Sequence, residues 1–253
     1  MNESELALAG AALIKARASN TPLDVAKHHA APSSQADAYA IQAIVAAQLG
    51  ATGGWKIGAP SPEGQASFAP IARAGVCASG ITLHDGGTRM RGIEVEIAYR
   101  LAIDLPPRTA PYEAQDVAGA IDAVLPIIEV VETRLSDRGA ANGMWALADN
   151  LSHGELVFGE PISRWQDLSL AEVAVLMHFD NAVVIERSCR NAGGHPFDLI
   201  VRLANLCGTH CGGLRAGQIV TTGSLMGLEL APVGAKVSAT IGKVGTVTVN
   251  FSN

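Results

Sequence analysis

Charge is scarce in this chain. Only 17% of its 253 residues are charged, 48% are hydrophobic, and the formal balance is −6. That composition excludes a disordered, solvating polymer and leaves ample apolar material for a large core. The negative balance argues against a nucleic-acid partner, which selects basic faces. An anionic ligand would have to be met locally, by a few Lys or Arg, a metal ion or backbone N–H groups. Cysteine is also sparse: Cys77, Cys189, Cys207 and Cys211 show no disulfide spacing, which suits the reducing cytosol. Cys207 and Cys211 flank His210, but no second Cys/His cluster matches them, so a helix end before a glycine-rich loop explains them better than zinc does. The stretch Met1-Asn2-Glu3-Ser4-Glu5 lacks the basic and apolar blocks of a signal peptide, and no uncharged stretch reaches the length of a membrane span. The expectation is a soluble cytoplasmic protein without a membrane partner. Internal repeats, low-complexity tracts and linkers are absent as well. A single domain over 1–253 is predicted, helical to about residue 50 and β-rich from about residue 51.

The apolar periodicity predicts a helix from Leu6 to Ala18. A second starts at Ser33-Ser34, with Asp37 three residues after Ser34 as in a capping box, and stops at Gly50. The pattern then turns to strands: Trp55–Gly58, then about 91–104, 125–134, 155–159, 173–186, 218–222 and 235–251. Helices are predicted at 113–123 and 196–207, the latter with Pro196 in its first turn and Gly208 after its end. Early helices followed by many unevenly spaced strands give an α+β fold with a rolled or sandwiched sheet.

The stretch Gly92-Ile93-Glu94-Val95-Glu96-Ile97-Ala98 carries the most information. Its period-two alternation sets Glu94 and Glu96 on one strand face and Ile93, Val95 and Ile97 on the other, toward a core. Two like charges so placed either point to water or share a cation, and a divalent metal is the simplest such cation. Glu129 stands in an apolar strand on the face of Ile127 and Val131, where a carboxylate is costly unless paired or metal-bound. Together the three leave positions open for water and substrate on an octahedral Mg2+ or Mn2+. Ordinary solvent-facing glutamates remain the equal alternative. Glu132, on the other face with Arg134, reads as half of a surface ion pair. Lys56, flanked by Gly53, Gly54 and Gly58, has room for a close-approaching ligand or backbone. It is either a buried base of lowered pKa or a lysine guarding an edge strand. The segment Val220–Gly227 can turn backbone N–H groups and hydroxyls toward a carboxylate, or be a plain turn. Ala148-Asp149-Asn150-Leu151-Ser152-His153-Gly154 reads as turn-capping chemistry, and a Ser-His-Asp hydrolase is disfavoured because Ser152 lacks a G-x-S-x-G elbow.

These segments occur in one order. Asp37-Ala38-Tyr39-Ala40-Ile41-Gln42, Gly54-Trp55-Lys56-Ile57-Gly58 and Gly92–Ala98 come first, followed by Pro126-Ile127-Ile128-Glu129-Val130-Val131 and Ala148-Asp149-Asn150-Leu151-Ser152. Gly194-His195-Pro196, Leu214-Arg215-Ala216-Gly217 and Thr222–Gly227 complete the series. In that order the chain resembles the 2-keto-4-pentenoate hydratase group of the fumarylacetoacetate hydrolase superfamily, from about Ala38 to Phe251. The resemblance implies a mixed β-roll with N-terminal helices and a cytosolic homo-oligomer, with a possible complex with a related decarboxylase. It implies Mg2+ or Mn2+ held by Glu94, Glu96 and Glu129, with Lys56 and Ser152 catalytic and Gly223 and Ser224 holding substrate. The implied substrates are small 2-oxo acids from the breakdown of aromatic compounds. The 2-oxo group and carboxylate would chelate a Lewis-acidic metal, an enolate would form, and Lys56 would shuttle the proton. Hydration would then give a 4-hydroxy-2-oxo acid.

One departure stands out. Hydratases of this group carry an acidic residue in the segment matching Ser67-Phe68-Ala69-Pro70-Ile71, and here there is none; Glu63 is the nearest acid. Decarboxylation of a 2-oxo acid, or hydrolysis of an acylpyruvate C–C bond, therefore stands beside hydration. Hydrolysis would call for a His–Glu pair, with His28, His29 and His84 free to supply it. A non-catalytic partner subunit is the reading from another class, and the glutamate trio with Lys56 argues against it.

Overall fold

A computed structural model describes residues 1–84, 90–137 and 143–252. In chain order the elements are α1 (Glu3–Ser19), α2 (Gln35–Leu49), β1 (Thr52–Gly58), β2 (Ser67–Ala72), β3 (Val76–Ala78), β4 (Thr82–His84) and β5 (Gly92–Leu101). There follow α3 (Ala114–Gly119), β6 (Ile121–Val131), α4 (Gly143–Ala148), β7 (His153–Phe158), β8 (Val173–Phe179), β9 (Ala182–Cys189) and α5 (Pro196–Leu206). The last strands are β10 (Ile219–Thr221), β11 (Glu229–Leu230), β12 (Lys236–Ile241) and β13 (Gly245–Ser252).

The helices begin where their caps dictate. The Asn2 side chain accepts from the Glu5 N–H and the Glu5 carboxylate from the Asn2 N–H, a reciprocal cap on α1. Ser34 caps α2 by accepting from the Asp37 N–H, and Gly50 ends it. Leu13 of α1, Ile41 and Val45 of α2, and Trp145 and Leu147 of α4 form a separate small core.

The strands form two sheets. The larger runs β2-β1-β10-β5-β6-β7-β3, with β11 added on β5, and the smaller runs β4-β13-β12-β8-β9. β2 and β3 lie at opposite edges of the larger sheet, yet only Arg73–Gly75 separates them in the chain. Laid flat at a strand spacing of about 4.8 Å, those edges would stand roughly 29 Å apart. The four peptide steps from Ala72 to Val76 reach at most about 14 Å. The sheet must therefore curl until its edges meet, and it is a roll. Its inner face carries Ile71, Ala98, Leu125, Ile127, Leu156 and Ile219, all buried. Its outer face presents Ile93, Val95, Ile97, Ile128 and Val130 to Val237, Ala239, Val247 and Val249 of the smaller sheet. The α+β fold, the roll and the early helices agree with the expectation.

Several boundaries differ. The helix expected at 113–123 stops at Gly119, and β6 starts at Ile121 rather than at the anticipated residue 125. The runs 173–186 and 235–251 are each a hairpin, turned at Asp180 (φ 52°) and at Gly242 (φ 40°). β1 is not an edge strand: it lies between β2 and β10, so Lys56 does not guard an edge. The expected surface pair of Glu132 and Arg134 is absent. The alternation ends with β6 at Val131, and both side chains turn inward and are buried. Arg134 Nε instead meets Asp149 Oδ1 at 2.6 Å, while Glu132 accepts from the Met90 N–H at 2.7 Å.

Candidate metal centre

Strand register brings the predicted residues together. Glu94 and Glu129 are direct partners across β5 and β6, and Glu96 is two residues along from Glu94 on the same face. On β10, Thr221 pairs with Ala98 of β5 and also with Lys56 of β1, so Lys56 joins that face. All of these side chains share the inner face of the roll. The glycines beside Lys56 allow the close strand approach. A Cβ on Gly54 would lie 2.5 Å from the Ile219 carbonyl oxygen, and one on Gly53 would lie 2.5 Å from Arg73 Cα.

Oxygens of Glu94, Glu96 and Glu129 lie within 4.8 Å of one another, and this is the metal-ligating cluster found among the described residues. Glu96 and Glu129 are fully buried and Glu94 is half-buried. Each fully buried glutamate is anchored through one oxygen. Glu129 Oε1 accepts from Lys56 Nζ at 2.5 Å and from His153 Nδ1 at 3.0 Å. Glu96 Oε2 accepts from the Thr221 hydroxyl and from the Gly223 N–H at 3.0 Å. The other oxygens, Glu129 Oε2 and Glu96 Oε1, are buried with no protein partner. Burying acceptor oxygens without donors is costly, and three oxygen ligands suit a hard divalent cation. The residues present therefore fit such an ion.

The fields are strong. Burial and Glu129 push the Glu94 carboxyl up to about 7, and burial with its two neighbours pushes Glu96 well above the usual range. Burial also works against the Glu129 carboxylate, but Lys56 and His153 hold it down at about 2. Burial would lower the Lys56 ammonium, yet Glu129, Glu94 and Glu96 outweigh it and the net shift is upward. Lys56 is thus a charged acid rather than the lowered-pKa base that burial alone suggests.

The remaining predicted residues are placed as follows. Ser152 closes a turn in which Asn150, Leu151 and Ser152 all have positive φ (51°, 54° and 57°), and the Leu151 carbonyl accepts from Lys56 Nζ at 3.1 Å. Gly223 (φ 85°) spends its N–H on Glu96. The Ser224 hydroxyl caps its own turn, accepting from the Gly227 N–H at 2.9 Å and donating to the Gly227 carbonyl at 2.7 Å. Glu63 lines a cavity of about 690 Å3 with Tyr39, Phe68, Cys207 and His210, whose lining includes neither Lys56 nor the glutamates. His28 stands edge-on to Trp145 and His84 bonds Ser252, away from the carboxylates. The histidine that meets a glutamate is His153. It and Thr221 belong to segments that drew notice in the sequence, but their alignment with Glu129 and Glu96 depends on strand register across long separations.

The chain is 30% identical over 257 residues to 2-keto-4-pentenoate hydratase 2 of Dechloromonas aromatica (strain RCB), covering 96% of this chain and 97% of that protein. It is 29% identical over 178 residues to 2-hydroxyhexa-2,4-dienoate hydratase of Comamonas testosteroni, covering 68% of this chain and 64% of that protein. The fold matches 4-oxalocrotonate decarboxylase from Pseudomonas putida G7, solved with magnesium and adipate, at a TM-score of 0.82 and 21% identity over 99% of this chain and 98% of that one. Residues 59–252, which hold the trio and every strand of the roll but β1, match the family described as fumarylacetoacetate (FAA) hydrolase C-terminal, and the chain belongs to that family.

Proposed function

We propose that the protein is a divalent-metal-dependent hydratase that adds water to a 2-oxo-alkenoate such as 2-keto-4-pentenoate, giving a 4-hydroxy-2-oxo acid. The observation that carries this reading is the pair of anchored glutamates, each offering one partnerless oxygen beside Glu94 and next to a charged lysine. Glu94, Glu96 and Glu129 would hold the ion, Mg2+ or Mn2+, in keeping with the magnesium named for the decarboxylase of like fold. When bound, the ion supplies positive charge that favours an enolate of the substrate. Lys56 Nζ holds a proton beside the trio, ready for a substrate carbon, and the Leu151 carbonyl and Glu129 fix its direction. Thr221 and the Gly223 N–H keep Glu96 in place. Ala98 and Ile127, buried on the same face, exclude water from the floor of the site. Ser152 is proposed as the second catalytic residue, and the backbone of the Gly223-Ser224 turn, apart from the Gly223 N–H spent on Glu96, as the substrate-holding segment. The Ser224 hydroxyl, occupied in its turn, plays no part. The reading extends to a cytoplasmic homo-oligomer acting in the breakdown of aromatic compounds.

Decarboxylation is the second reading, because the β2 residue across from Lys56 is Ala69, which offers no acid there. One experiment separates the two. Chelator-treated protein is given 2-hydroxypenta-2,4-dienoate with and without Mg2+ or Mn2+, following dienol absorbance. In parallel it is given a 2-oxo-alkenedioate, following CO2. Metal-dependent formation of a 4-hydroxy-2-oxo acid is expected. Release of CO2 without hydration would replace the first reading by the second, and equal activity in EDTA would overturn both.

A further inference from the structure

The His153 side chain is buried against Glu129. Glu129 is a carboxylate and can only accept, so the facing His153 Nδ1 must carry the proton. The bond, 3.0 Å, lands on the same oxygen that Lys56 occupies and leaves Oε2 for the cluster. The imidazole is itself clamped. Its backbone carbonyl accepts from Arg134 Nη1 at 2.8 Å and from Arg17 Nη2 at 3.3 Å. The preceding three residues hold a left-handed turn that only a tightly determined surrounding maintains. His153 Nε2 is buried with no protein partner, and His153 lines a separate cavity of about 200 Å3 with Arg17, Asn150 and Glu155. The ring thus forms the wall between that cavity and Glu129.

We propose that His153 is a positioning residue of the metal centre, fixing Glu129 Oε1 through Nδ1–H so that Oε2 is presented to the ion. The proposal rests on the metal-centre reading above. An outer histidine that orients a ligating carboxylate typically changes metal affinity by about 10–100-fold when lost. Lys56 alone would leave Glu129 free to rotate about its Cγ–Cδ bond, because a single donor on one oxygen fixes a direction but not a plane. Two donors on Oε1, from β1 and from β7, fix both.

The test is Mn2+ affinity of the chelator-treated full chain, read from free-ion EPR, with the spectrum of the bound ion as a second signature. His153→Leu removes the donor at similar bulk, and affinity should fall about 10–100-fold. His153→Asn puts an amide N–H at the same bond distance from the backbone as Nδ1. It should recover affinity to within a few-fold of wild type together with the wild-type spectrum. His153→Gln reaches the place of Nε2 instead and should behave like the leucine variant, and it carries the comparison if the leucine variant does not fold. Wild-type affinity in the leucine or glutamine variant, or no recovery in a folded asparagine variant, would overturn the assignment while leaving the metal centre standing. Failure of the wild-type protein to bind Mn2+ would overturn the metal centre and the assignment together.

Discussion

At the scale of single residues, the site is an arrangement of unequal carboxylates. Glu129 is ionised by its cationic neighbours, whereas Glu94 and Glu96 are pushed toward the protonated form. A carboxyl raised from 4.5 to about 7 holds a proton in the folded protein that the unfolded chain releases. The folded state then binds more protons between those values, so stability falls as pH rises through that window. Removing the titration should remove the loss. In EDTA, Glu94→Gln is expected to overtake the wild type as pH rises from 5 to 8, by up to about 3 kcal/mol. Saturating Mn2+ should reverse the order. Melting curves at a series of pH values check this, and a constant difference in EDTA would contradict it. At saturating Mn2+, Lys56→Met should lose at least about 100-fold in turnover; unchanged turnover rules out the proton role. The glutamates drew notice in the sequence because alternation marks a strand face, and Lys56 because glycines flank it and the family resemblance points to it. The protonation contrast was not, because it depends on the 2.5 Å approach of Lys56 to Glu129, which are 73 positions apart.

At the scale of elements, the turn between α4 and β7 does more than connect. It lays the Leu151 carbonyl on Lys56 and sets His153 on Glu129, and Arg134 ties it down from beneath. The Asp149 carboxylate accepts from Arg134 Nε (2.6 Å) and from the Arg134 backbone N–H (3.0 Å), and the guanidinium also donates to the Asp149 and His153 carbonyls. Asp149→Ala should therefore strand a buried guanidinium and cost about 3–5 kcal/mol in urea unfolding. Loss of the exposed Arg100–Asp122 pair should cost less than about 1 kcal/mol. Equal costs for the two would refute the clamp. The sequence placed Arg134 on one strand face with Glu132 because apolar alternation runs unbroken up to it. What the alternation cannot carry is where pairing stops. β6 ends at Val131 because its partner β7 shifts register there. The helix cap at Ser34 was readable for the opposite reason: its partner Asp37 lies three residues away.

At the scale of the whole molecule, the roll and the early helices were visible in the sequence, and the closure was not. Nothing in Arg73-Ala74-Gly75 announces that it joins the two edges of a seven-strand path. The same path governs the order in which the site comes into being. β5 and β6 are neighbours in the chain and can pair, setting Glu94 opposite Glu129, once residue 131 is available. β1, synthesised earlier, reaches β5 through β10, whose residues are Ile219–Thr221. A nascent chain halted before Ile219 thus carries all three glutamates and lacks the strand that seats Lys56 beside them. The ion-holding half of the centre is within reach once residue 131 has emerged, and the proton-handling half waits for residues 219–221.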